Sequence, residues 1–157
     1  AAEERAERLA VEERLVAEER LVAEERAERL AAEEAAVTTK NARATVIFYR
    51  TSKLVGSGSS AHVLYDGKKI ADLTNKSYIT VHAPIGRQEF VVDFNGDTDP
   101  ITVNLEEDQI YYIHFTFSSL ARSRSTNIAQ VTKTMGSTAI RSKNLRNKGD
   151  IDIQNQP

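Results

Sequence analysis

The sequence predicts a mainly β protein: a seven-stranded antiparallel β-sandwich, preceded by a long N-terminal helix and followed by an extended basic C-terminal tail. Between residues 42 and 118, runs rich in Val, Ile, Thr, Tyr and Phe recur at intervals of about 8 to 12 residues. Turn dipeptides separate these runs, and no helical crossover of the kind that joins parallel strands lies between them. These observations favour a sandwich over a parallel α/β fold.

The first 36 residues are predicted to form a helix, because they consist mainly of Ala, Glu, Arg and Leu, which have high helix propensity. The unit Leu-Val-Ala-Glu-Glu-Arg occurs at 15–20 and again at 21–26. A six-residue step advances about 240° around a helix, so the apolar residues form no regular coiled-coil seam. We interpret 1–36 as an engineered or stand-in sequence, with a rigid partner-binding arm as the alternative, and 37–41 as a linker.

The strand-like runs continue from the linker to the end of the domain at residue 118. They are 45–50, 61–65, 68–73, 78–83, 88–94, 101–105 and 109–117. Asp66-Gly67 between two runs predicts a two-residue type I′ hairpin, because both positions need a positive φ. The expected core consists of apolar residues that alternate along these runs: Val46, Phe48, Val63, Ile70, Leu73, Ile79, Val81, Phe90, Val92, Val103, Ile113 and Phe115.

The net charge differs in sign between the two parts of the chain. Residues 1–36 hold twelve Glu and six Arg, while the whole chain has 21 basic and 23 acidic residues, so the remainder is basic. The absence of cysteine excludes disulfides and thiolate metal sites but leaves the compartment open. No apolar run reaches the roughly 18 to 20 residues of a membrane-spanning helix, and no signal peptide opens the chain, so we expect this polypeptide to be soluble.

Residue types capable of chemistry are present, but not in catalytic or metal-binding patterns. His62, His82 and His114 lie on separate predicted strands, without the short spacing of a zinc site on a helix. The acidic turn at 97–99 lacks the ligand series of a calcium loop. The Gly- and Ser-rich segment 53–60 lacks the Lys and following helix of a phosphate-binding loop, and no serine lies in a nucleophile elbow. We therefore expect no catalytic residue, no metal and no cofactor.

Two sets of residues remain as candidates for binding. Tyr49, Tyr65, Tyr78 and Tyr112 would form an aromatic platform for sugars if they shared one face. The segment 119–157 is polar and basic, and we expect it to be disordered alone and ordered only on a partner. The apolar residues expected to anchor it to a partner are Ile128, Val131, Ile140 and Leu145. The cations expected to face acidic groups of that partner are Arg141, Lys143, Arg146 and Lys148. Ile151 and Ile153 would add a strand to a neighbour's sheet.

Several short motifs resemble a known group of proteins. These are Ala44 to Arg50, Tyr65-Asp66-Gly67-Lys68 with the run to Leu73, Ser77-Tyr78, Ala83-Pro84-Ile85-Gly86 and Tyr111-Tyr112-Ile113. Together they resemble a family of small bacterial lipoproteins of unknown function, and the hairpins are similar to the PEGA surface-layer domain. The resemblance covers about half of the chain, residues 42–118. It implies an immunoglobulin- or transthyretin-like sandwich in the periplasm, often tethered to the outer membrane, although no acylated cysteine is present here.

The function expected from this resemblance and from the residues is that of a non-catalytic accessory or scaffold subunit of an envelope assembly. Its partners would be other envelope proteins, in a homo- or hetero-oligomer, with peptidoglycan or anionic lipid as further candidates. A peptidoglycan- or carbohydrate-binding module is the alternative, and it depends on the four tyrosines. Nucleic acid is not expected, since the basic tail lacks interleaved aromatic residues and any known motif.

Overall fold

The computed structural model describes residues 1–53, 58–120 and 123–153, without the side chains of 39, 40, 119, 120, 123 and 124. The chain divides into two compact units, Ala1–Asn41 and Ala42–Pro157. The first is a single α-helix, α1 (Ala2–Asn41), which continues through the expected linker 37–41. Its large apolar side chains are exposed, as in Leu21 at 67%. In the described part of the chain, no helix is both long and apolar enough to cross a membrane.

The second unit contains nine strands and one helix in its described residues. They are β1 (Arg43–Arg50), β2 (Ala61–Tyr65), β3 (Lys68–Leu73), β4 (Ser77–Pro84), β5 (Gly86–Phe94), β6 (Asp97–Leu105), β7 (Ile110–Leu120), β8 (Ser123–Val131), α2 (Lys133–Ser142) and β9 (Arg146–Asp152). Seven of these strands correspond to the predicted runs, with ends extended by up to a few residues. The prediction of seven strands was wrong, because β8 and β9 add to the set.

The strands form two sheets that share one core. Sheet A has the order β8-β7-β1-β4-β9, and sheet B has the order β3-β2-β5-β6. The sandwich is not purely antiparallel as expected, since β1 pairs with β7 and β4 pairs with β9 in parallel. Parallel neighbours are distant in sequence and leave no hairpin signal, so local patterns did not show them.

The core lies between the two sheets and includes nearly all of the predicted residues, together with others such as Phe94 and Leu105. Eleven of the twelve are fully buried and pack in one cluster with residues of both sheets, while Ile70 is half-buried at its margin. Phe48 and Phe90 meet across the sheets with ring centroids 5.2 Å apart. The alternation of apolar residues therefore identified the buried face of each strand correctly.

The turns adopt the backbone conformations that their residues favour. Asp66 and Gly67 have φ values of 51° and 72°, as a type I′ hairpin requires. Asn95 and Gly96, with φ of 55° and 90°, join β5 to β6 in the same way. The Asp-Gly hairpin prediction is confirmed.

The C-terminal segment is folded, which corrects the expectation of an extended tail. β8 pairs with β7 over nine residue pairs, and β9 pairs with β4. The side chain of Thr132 caps α2 by accepting the Met135 N–H. Asn144, with φ of 50°, ends the helix in a Schellman arrangement, in which the N–H of Leu145 donates to Ile140 O at 3.1 Å. Pairing with the chain's own sheet provides the burial that a polar segment lacks by itself.

Candidate functional site

A groove of about 660 Å³ opens between β3 and β9, the edge strands of sheets B and A, and we call it the β3–β9 groove. Its lining combines half-buried apolar side chains with exposed charged ones: Tyr65, Asp66, Gly67, Lys68, Lys69, Ile70, Pro84, Gln88, Glu89, Val91, Ile151, Asp152 and Ile153. The opposite side of the sandwich is closed, because β6 contacts β8 there. The β3–β9 groove is therefore a concave surface at the open side of the two sheets, next to the core.

Hydrogen-bonding groups of both polarities line the β3–β9 groove. The Tyr65 hydroxyl donates to Gln88 Oε1 at 2.7 Å, and its ring lies 5.4 Å from that of Phe90. Burial raises the pKa of Tyr65, the charge of Asp66 raises it further, and Arg43 opposes both. Asp152 Oδ1 lies 3.6 Å from Arg43 Nε. A ligand that donates and accepts hydrogen bonds and has an apolar part would suit this lining.

The two strands beside the groove are both irregular. The β2–β3 ladder shifts register between Val63 and Leu64, and the β4–β9 ladder shifts between Tyr78 and Thr80. In β9 the N–H of Gly149, at φ of 140°, bonds to Asn147 Oδ1 instead of continuing a regular ladder. Such bulges reduce pairing between the edges of separate sheets.

The expectation that Ile151 and Ile153 would extend a neighbour's sheet is therefore replaced by pairing within the chain. Ile151 lies opposite Val81 of β4, and the N–H of Ile153 donates to His82 O at 2.9 Å. Ile153 is buried in the main core. The alternation that suggested a strand was correct, but its partner is β4 of the same chain.

The structure brings together three of the four candidate tyrosines. Tyr49, Tyr78 and Tyr112 lie on the outer face of sheet A, and we call them the tyrosine cluster. Tyr49 is 2% exposed and Tyr112 is 7% exposed, since the C-terminal segment packs over them. Tyr65 lies apart from them in the β3–β9 groove. Tyr49 and Tyr112 are thus covered and Tyr78 is half-buried, while Tyr65 alone among the four candidates lines the groove.

The expected anchors of the tail bind this same chain. Val131, Ile140 and Leu145 pack against the tyrosine cluster, and Ile128 packs against the main core. A Cβ atom at Gly136 of α2 would overlap the Tyr112 side chain, so the helix backbone lies directly on that ring. Three of the tyrosines proposed for sugars and three of the anchors proposed for a partner therefore form one internal interface.

Four cationic residues of the C-terminal segment face solvent at one end of sheet A. Arg141, Lys143, Arg146 and Lys148 are all exposed. Lys76, in the turn before β4, joins them because the N–H of Arg146 donates to Lys76 O at 3.1 Å. We call these five residues the basic patch. Sequence reasoning missed Lys76, since only the β4–β9 pairing places it beside Arg146.

The three histidines occupy separate sites. His62 Nδ1 donates to Asp72 Oδ1 at 2.5 Å on sheet B, and this bond lowers the pKa of Asp72. His82 Nδ1 lies 3.3 Å from Thr45 Oγ1. The His114 ring stacks on Tyr49 at 4.6 Å, and burial, then the charge of Lys53, lowers its pKa.

A metal site is not found among these groups. Within residues 1–53, 58–120 and 123–153, no group of three or more His, Asp or Glu side chains is placed to hold an ion.

Arg50 at the end of β1 is a buried charge that the sequence did not identify. It is 3% exposed, and its guanidinium lies 5.0 Å from the centre of the Phe94 ring. It donates to Ser59 O at 2.7 Å and to Leu73 O at 3.5 Å. Burial lowers its pKa. Arg50 therefore joins the end of β1 to the residues just before β2 and to the last residue of β3. Residues 54–57 of the Gly- and Ser-rich segment lie outside the described residues.

Comparison with known proteins finds no matching family model, curated protein or solved structure. Function is therefore inferred from the β3–β9 groove and the basic patch, both built from this chain's own residues.

Proposed function

We propose that this protein is a non-catalytic accessory or scaffold subunit of a bacterial cell-envelope assembly, associated with the outer membrane, and that a partner protein binds in the β3–β9 groove. The observation that carries the proposal is the groove itself, with a volume of about 660 Å³ and a mixed lining. Half-buried Ile70, Val91 and Ile151 offer contact to apolar side chains. Lys69 and Glu89 offer charges of both signs at its rim.

The envelope setting and the immunoglobulin- or transthyretin-like family are part of the proposal. Their support is the resemblance of residues 42–118 to small lipoproteins and to PEGA domains. The non-catalytic role is supported by the position of the His62–Asp72 pair, which lies outside the lining of the groove. A histidine and carboxylate that serve in catalysis would be expected beside the bound substrate.

Purification of the full chain from native membranes tests this proposal. We expect a protein partner to co-purify in stoichiometric amount. Glu89→Lys reverses a charge at the rim of the groove and should weaken binding of that partner. Glu107→Lys makes the same charge change at another exposed position, between β6 and β7, and should leave the complex intact. Recovery of the full chain only as a monodisperse monomer would overturn the proposal.

A peptidoglycan- or carbohydrate-binding module is a second candidate, favoured by the position of Tyr65. Its ring lines the groove next to Gln88, which provides amide groups for hydroxyls. Sedimentation with purified cell-wall sacculi tests this candidate. We expect the full chain to sediment and Gln88→Ala to reduce the bound fraction, whereas Asn104→Ala on β6 should not. Absence of sedimentation at low salt would remove the candidate.

A further inference from the structure

The basic patch is a concentrated cationic surface assembled from three parts of the chain. Lys76 comes from a turn, Arg141 and Lys143 from the end of α2, and Arg146 and Lys148 from β9. Backbone bonds hold these parts together, from Arg146 N to Lys76 O and from Asn144 N to Arg141 O, at 3.1 and 3.2 Å. All five cationic side chains are exposed, and no described residue forms an ion pair with any of them.

One group of acidic residues lies at the end of sheet A opposite the basic patch. Glu106, Glu107 and Asp108 are exposed between β6 and β7, and the N–H of Asp108 donates to Arg43 O at 3.1 Å. Arg43 pairs with Pro84 at the end of β4, whereas Arg146 pairs with Ser77 at its start. An eight-residue strand spans about 26 Å. This separation exceeds the Debye length at physiological salt, so these three acids do little to neutralise the patch. Asp150, exposed on β9 two residues after Lys148, offsets one of its five positive charges.

We propose that the basic patch docks this domain on a bilayer surface that contains anionic phospholipid. Three lysines and two arginines on an exposed end suit an array of mobile phosphate groups, because lysine acts as a point charge that needs no fixed partner geometry. Each such cation increases affinity for an anionic membrane by about five-fold. The inference goes beyond the proposed function, since it does not depend on what fills the groove.

Co-sedimentation of the full chain with lipid vesicles tests this inference. We expect binding at low salt to vesicles of phosphatidylcholine with phosphatidylglycerol, no binding to phosphatidylcholine alone, and release at about 0.5 M salt, where the Debye length is only a few ångströms. Lys143→Ser with Arg146→Ser should weaken binding about 25-fold, as the loss of two cations. Arg87→Ser with Lys133→Ser removes two exposed cations that lie outside both the groove lining and the basic patch, and should weaken binding by no more than about two-fold.

Three results would overturn the inference. The first is no binding to anionic vesicles at low salt. The second is an equal loss of binding in both double variants, which would show a response to net charge alone. The third is that the double variant Lys143→Ser with Arg146→Ser binds vesicles as well as the original chain but no longer co-purifies with an acidic protein. That protein would then be the partner of the patch. Failure of the groove proposal is separate, because it is detected by loss of a protein partner in Glu89→Lys.

Discussion

Gly136→Ala is a sharp test of whether α2 is seated on the tyrosine cluster. In an exposed helix this substitution stabilises by about 1 kcal/mol, because alanine has the higher helix propensity. Gly136 is buried, however, and an added Cβ would overlap Cβ, Cγ and Cδ1 of Tyr112. The overlap with Tyr112 Cβ is not relieved by rotating the ring, so α2 must move away from sheet A.

The balance of the two effects gives the sign and the size of the expected change. Overpacking a filled site costs up to about 3 kcal/mol, and subtracting the propensity gain leaves a net loss of about 2 kcal/mol in the free energy of unfolding. With a urea m-value of about 2 kcal/mol per M, the unfolding midpoint should fall by about 1 M.

Tyrosine fluorescence during urea unfolding is the appropriate assay. The chain has five tyrosines and no tryptophan, and α1 contains none of them, so the signal reports on the second unit alone. Thr138→Ala on the exposed side of α2 is the matched control and should raise stability by a few tenths of a kcal/mol. If Gly136→Ala is stabilising to the same degree as Thr138→Ala, then α2 does not rest on Tyr112.

Two further predictions concern the buried anchor of the C-terminal segment and the half-buried histidine. Leu145→Ala should lower the free energy of unfolding by about 2 to 5 kcal/mol, since Leu145 is 8% exposed and packs on the tyrosine cluster, whereas Leu21→Ala on α1 should change the urea midpoint hardly at all. The pKa of His114 is lowered in the folded state, so the stability it contributes is present above its unfolded value near 6.5 and is lost as pH falls below it. His114→Gln should therefore reduce the pH dependence of the urea unfolding midpoint between about pH 7 and 5. If the midpoint of the variant falls with pH as steeply as that of the original chain, His114 is not the source of this dependence.

Much of the central sandwich was predictable from local sequence because its signals are local. Asp66-Gly67 has the residues of a type I′ turn, and the alternation of Ile79 and Val81 in β4 marks the buried face. Both depend on neighbours within a few positions. The expected core residues were correct for the same reason, since alternation along a strand determines which side chains face the other sheet.

The C-terminal segment was missed because its stabilising contacts are distant in sequence. β8 contains Ser, Thr, Asn and Gln with few apolar residues, and α2 has Gly136 in its interior, which opposes helix formation by propensity. Leu145 is buried only because Tyr49 and Tyr112, distant in sequence, lie beneath it. The alternation of Ile151 with Asp150 and Asp152 was visible, but no local pattern identifies β4 as the parallel partner.

The same limit applied to the candidate sites. Three tyrosines share a face as the sugar hypothesis required, yet the sequence gives no sign that α2 covers them. Four cations of the tail were singled out from the sequence, but their grouping with Lys76 arises from the β4–β9 pairing. The β3–β9 groove combines residues from both sheets, so it exists only once the strand order is known.

Amide hydrogen exchange of the full chain tests most directly whether the C-terminal segment pairs with the sheet of its own chain and so forms the basic patch. The sample must first be shown by sedimentation to be monomeric. The N–H groups of Arg146 and Ile153 donate to Lys76 O and His82 O at 3.1 and 2.9 Å, at the two ends of the β4–β9 ladder. We expect these two amides to exchange as slowly as the hydrogen-bonded amides of β4. Exchange at the rate of an unstructured peptide, while β4 stays protected, would contradict the account.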